Sequence, residues 1–101
     1  MLVAFSIAPG TPDADGSVSA AVATAVRIVR QSGLPNETTS MFTTIEGEWD
    51  EVMDVVKRCV DALLAQSDRV SLVLKADIRP GHTGQLTAKL QRIDQRLSDP
   101  S

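Results

Sequence analysis

What restricts the fold of this chain most is the way its apolar period changes along the sequence. Leu2 to Ala8 alternates bulky and small residues and is cut off by Pro9-Gly10, which predicts a strand closed by a turn. From Val18 to Gln31 the period lengthens: Val18, Val22, Ala25, Val26 and Val29 fall on one stripe of a helix, with Gly33 and Pro35 placed to end it. Asn36 to Gly47 has no helical period and is rich in β-branched residues (Thr38, Thr39, Thr43, Thr44, Ile45), the pattern of two short strands around a tight turn near Ser40-Met41. Glu48 to Gln66 is helical again, with Trp49, Val52, Met53, Val56, Val60 and Leu63 as its apolar stripe. Its acidic residues come early and its basic ones late, as the helix dipole favours. Arg69 to Asp77 alternates once more. After an Arg79–Gly84 loop, Leu86, Leu90, Ile93 and Leu97 draw the thin stripe of a last helix.

The order β-α-β-β-α-β followed by a helix predicts the α+β class: a ferredoxin-like βαββαβ sandwich with a four-stranded antiparallel sheet plus a C-terminal helix. A length of 101 residues suits one domain spanning 1–101. With 43% hydrophobic and 23% charged residues, such a chain can bury one modest core. Two helices cover one face of the sheet. The other face must then be wet, bind something, or pack against another subunit.

A net charge of −3 and a pI of about 4.9 leave no basic surface to drive an encounter with nucleic acid, so none is expected as a partner. No run approaches the roughly 18 apolar residues of a membrane span, and Met1 to Ala8 lacks the basic start of a signal peptide. The expectation is a cytoplasmic protein with no membrane partner. Cys59, the only cysteine, permits neither an internal disulfide nor a cysteine zinc site, and its helical position predicts a buried thiol.

Strand parity selects among the polar residues. With Phe5, Ile45 and Leu72 turned to the helices, Ser6, Thr44, Glu46, Lys75 and Asp77 go to the open face. They could form a solvated surface in which Lys75 pairs with Glu46, or a site. Nothing pairs a nucleophile with a base: His82 is the only histidine and lies in a Gly/Pro loop, and Cys59 is on a helix far away in sequence. Glu46 and Asp77 could act as an acid–base pair or hold a cation, but no metal-ligand spacing and no Gly-rich phosphate loop is present. The expectation is therefore no enzyme, no catalytic residue, no metal and no cofactor. Trp49 fits its helix stripe and is expected in the core.

Four segments together resemble a known family: Ala4-Phe5-Ser6-Ile7-Ala8-Pro9, Ser32-Gly33-Leu34-Pro35, Met41-Phe42-Thr43-Thr44-Ile45-Glu46-Gly47-Glu48-Trp49-Asp50-Glu51-Val52, and Lys75-Ala76-Asp77-Ile78-Arg79. In order and spacing, from about Met1 to Leu90, they look like the small thiamine-binding proteins of ferredoxin-like fold. The resemblance implies non-catalytic binding of thiamine or its hydroxymethylpyrimidine part, and assembly as a dimer by sheet extension or a tetramer of stacked sheets. Such a protein would serve transport, storage or regulation of thiamine or a precursor. The chain departs from the family at Phe42, where glycine is usual, and at Ala76-Asp77-Ile78, where a pair of acidic residues is common. The ligand-binding residues then expected are Ser6, Phe42, Thr43, Thr44, Glu46 and Asp77. Glu46 would accept from the aminopyrimidine, and Phe42 would either stack on the ring or fill the pocket. The competing expectation is a structural or regulatory homo-oligomer whose open sheet face is consumed by subunit packing.

Overall fold

A computed structural model of the chain describes residues 1–10 and 19–98. Its elements run β1 (Leu2–Pro9), α1 (Ser19–Gln31), β2 (Asn36–Thr38), β3 (Thr43–Glu46), α2 (Trp49–Leu64), β4 (Val70–Asp77) and α3 (Gln85–Ser98). The strands form one antiparallel sheet in the order β2-β3-β1-β4. This is the expected α+β, ferredoxin-like arrangement, with β1 and β3 central and β2 and β4 at the edges.

Period-2 alternation becomes two unlike faces through the register. Val3 lies opposite Ile45 and Ala76, and Phe5 opposite Thr43 and Leu74, so these residues share the face under α1 and α2. Val3, Phe5, Ile7 and Ile45 are buried there with Ala25 and Val29 of α1 and with Val52, Val55, Val56, Cys59 and Leu63 of α2. Phe5 fills the centre of this layer at 2% exposure. Truncation there leaves a large void, and Phe5→Ala is expected to cost about 3–5 kcal/mol in chemical denaturation.

Both helices differ in detail from the sequence expectation. On α2 the buried stripe is Val52, Val55, Val56, Cys59 and Leu63, so Val55 and Cys59 take places assigned in sequence to Met53 and Val60. Trp49 is 55% exposed rather than in the core. It opens the first turn, one turn before Val52, where the helix has run past the sheet it covers. On α1, Ala25 and Val29 are buried while Val22 stands at the surface; Val18 lies outside the described residues. Gly33 adopts a φ of +79°, the left-handed conformation that ends α1 and that a side chain would disfavour.

The turn between β2 and β3 is held by one residue. Thr39 donates its N–H to the Phe42 carbonyl at 2.9 Å, and its Oγ1 accepts from Phe42 N at 3.2 Å. A threonine hydroxyl thus supplies the closure that an Asn-Gly pair would give a shorter hairpin.

Candidate functional site

The open face is read off the same register. Leu2 lies opposite both Glu46 and Asp77, and Ala4 opposite both Thr44 and Lys75. These six residues form two rows across the sheet, Glu46–Leu2–Asp77 and Thr44–Ala4–Lys75. Ala4 is small and stands between two longer neighbours, so the face is hollow at that point. A cavity of about 410 Å³ opens there, lined by Leu2, Ala4, Thr44, Lys75, Ala76 and Asp77.

Of the residues singled out in the sequence, Thr44 and Asp77 meet at this cavity; the others do not. Glu46 is 6% exposed, and both of its carboxylate oxygens are engaged by α3. Oε2 accepts from Gln85 N at 2.8 Å and Oε1 from Leu86 N at 3.3 Å. The first N–H groups of a helix have no partner within it, and a carboxylate satisfies both hydrogen bond and dipole there. Glu46 therefore anchors α3 to the end of β3. It does not line the cavity.

Thr43, expected as a ligand contact, is buried on the helix-facing side opposite Phe5. It lines a different cavity, of about 260 Å³, between α1 and the β2–β3 hairpin, together with Ser6 and Phe42. Ser6 belongs to the open face by register, opposite Val73, but lies beyond the Thr44–Ala4–Lys75 row. Phe42 is 39% exposed and does not line the open-face cavity, so it neither walls nor fills that space.

Leu2, Ala4 and Ala76 did not stand out in the sequence as site residues. Strand parity placed Ala4 on the open face, but the value of a small residue there depends on its cross-strand partners, and those come only with the register. His82 and Cys59 lie far from each other's chemistry. His82 is exposed in the loop after β4, while Cys59 is fully buried and its Sγ contacts the Ala25 carbonyl at 3.5 Å. Burial pushes the Cys59 thiol from 9.0 up to about 11, against the opposing pull of the Arg58 charge. Among the described residues, no group of three or more His, Cys, Asp and Glu side chains could hold a metal ion. No described helix is long and apolar enough to cross a membrane.

Comparison with known proteins gives this geometry a context. Residues 3–94 match a family described as thiamine-binding protein. The UPF0045 protein Mb1933 of Mycobacterium bovis is 48% identical over 102 residues, covering 99% of this chain and 97% of that one. The solved structure of the hypothetical protein MJ1052 of Methanocaldococcus jannaschii superposes with a TM-score of 0.82 at 32% identity, over 93% of this chain and 95% of that chain. A Thermotoga maritima protein provisionally assigned to thiamine biosynthesis or salvage superposes with a TM-score of 0.78 at 25% identity, over 91% of this chain and 96% of that chain.

Proposed function

Because the chain belongs to the thiamine-binding protein family, we propose that it binds thiamine or its hydroxymethylpyrimidine moiety, without catalysis, in the open-face cavity. The observation that carries this reading is the cavity itself: a hollow over Ala4 that brings a hydroxyl, Thr44, and a carboxylate, Asp77, to a partly apolar floor of Leu2 and Ala76. An aminopyrimidine is planar, with ring nitrogens that accept and an exocyclic amine that donates. Asp77 accepts from the amine or a protonated ring nitrogen, Thr44 bonds a ring heteroatom, and Leu2 takes the flat of the ring. In this reading Asp77 has the role that the sequence suggested for Glu46, whose oxygens already hold α3.

Calorimetric titration with thiamine and with hydroxymethylpyrimidine, on the wild type and on Ala4→Leu and Asp77→Asn, tests it. Saturable binding by the wild type is expected. Ala4→Leu removes it by occupying the hollow, and Asp77→Asn weakens it about tenfold. An absence of heat and of any thermal shift at millimolar ligand refutes the reading, and undiminished binding by Ala4→Leu moves the site elsewhere.

A second reading concerns assembly, and α3 favours it. Residues 91–98 of that helix are all exposed, including Ile93 at 53% and Leu97 at 79%. An apolar stripe displayed on a projecting helix suits burial by a second copy of the chain, as a dimer or tetramer that also covers the open sheet face.

A further inference from the structure

We propose that the cleft between the first turn of α2 and the loop after β4 is a second binding site, separate from the open-face cavity, for a planar aromatic ligand bearing a carboxylate or phosphate. The cleft measures about 280 Å³, room for a single substituted ring. Its apolar walls are Trp49 and Ile78, 55% and 58% exposed, two large side chains that the fold leaves at the surface side by side.

The loop supplies the opposite chemistry. Arg79-Pro80-Gly81-His82 is a tight turn closed by His82 N donating to the Arg79 carbonyl at 3.2 Å. Proline presets the second position, and Gly81 at φ +79° takes the left-handed third, the requirements of a type II turn. Such a turn brings its first and fourth residues together, so Arg79 and His82 line the cleft as neighbours. Among the described residues the Arg79 guanidinium makes no ion pair and no hydrogen bond, leaving its planar fork of donors for a carboxylate or phosphate. His82 donates Nδ1–H to the Pro80 carbonyl at 3.2 Å, which sets its tautomer and leaves Nε2 without a partner.

Glu48 is the acidic residue of the lining, and it is turned to its own helix: it caps α2 in a reciprocal pair with Glu51, whose Oε1 accepts from Glu48 N at 3.2 Å. The positive charge of Arg79 is thus set against an indole face. That pairing selects an aromatic anion and disfavours a cation such as thiamine, which separates this cleft from the open-face cavity.

Trp49 is the only tryptophan, so its fluorescence reports this cleft alone. The wild type is titrated with phenyl phosphate, benzoate, benzylamine and inorganic phosphate. A saturable fluorescence change with phenyl phosphate or benzoate is expected, the tighter of the two identifying the anionic group, with benzylamine and inorganic phosphate at least about tenfold weaker. Arg79→Gln, an exposed substitution in a fold checked by circular dichroism, weakens the aromatic anion about tenfold, and His82→Ala weakens it by a smaller factor. No saturable change at millimolar probe, an equal response to benzylamine, or an unaltered titration in Arg79→Gln overturns the proposal. So does a fluorescence change that follows protein concentration alone alongside a rise in sedimenting mass, which assigns the cleft to a second copy.

Discussion

Thr43 and Thr44 are adjacent, identical in chemistry and divided by the sheet: one is buried opposite Phe5, the other lines the open-face cavity opposite Ala4. Strand parity made that division legible before any coordinates, and it also placed Lys75 and Asp77 on the side of Thr44. Lys75 yields a sharp prediction. Its ammonium disfavours thiamine but not neutral hydroxymethylpyrimidine, so Lys75→Met is expected to tighten thiamine a few-fold and leave the pyrimidine almost unchanged, measured by calorimetry at low salt. Cys59 gives a second. Its thiol keeps its proton in the folded state up to about pH 11, whereas in the unfolded chain it ionises near its ordinary 9.0. The stability this contributes is complete below pH 9 and is lost as pH rises through about 11, a decline of about 2–3 kcal/mol. Denaturation at successive pH values is expected to show that loss in the wild type and a flatter profile in Cys59→Ala; alkylation of Cys59 is expected to follow unfolding rather than precede it.

At the level of elements, the order and type of every strand and helix could be read from the changes of period, because each is a local property. Their phases could not all be read that way. Trp49 continues the α2 stripe in sequence, yet the sheet ends before it, and only the lengths of the packed layers reveal that. Glu46 was visible as a carboxylate on the open face, but its partners, Gln85 and Leu86, are separated from it by 39 and 40 positions and offer only backbone N–H groups, which carry no signature in side-chain chemistry. The anchor is testable. Glu46→Gln retains one acceptor oxygen and loses the charge, and Glu46→Ala loses both; the expected costs are about 1 and about 2 kcal/mol. Hydrogen exchange is expected to quicken in α3 first, while the amides of β1 and α2 keep their protection. Uniform loss of protection across the sheet would show that Glu46 supports the core instead.

For the whole molecule, the radius of gyration of 15.6 Å exceeds the roughly 13 Å of a compact chain of this length, and α3 accounts for the excess by reaching away from the sheet. A chain that leaves one sheet face and one helix stripe uncovered is incomplete as a monomer by the usual balance of exposed apolar surface. Sedimentation is expected to show a mass above that of one chain, reduced by Ile93→Glu with Leu97→Glu; a wild type that sediments as a single chain at micromolar concentration would reject assembly through α3. Glu46 ties these levels together. Its carboxylate belongs to the same sheet row as Leu2 and Asp77, yet it is held by the helix that projects toward any neighbouring subunit. If a cation in the hollow draws that carboxylate toward itself, α3 loses its tether by the same free energy. Thermodynamic reciprocity then makes occupancy and quaternary state two readings of one equilibrium: a partner that pins the helix lowers the affinity of the hollow, and a filled hollow loosens the partner.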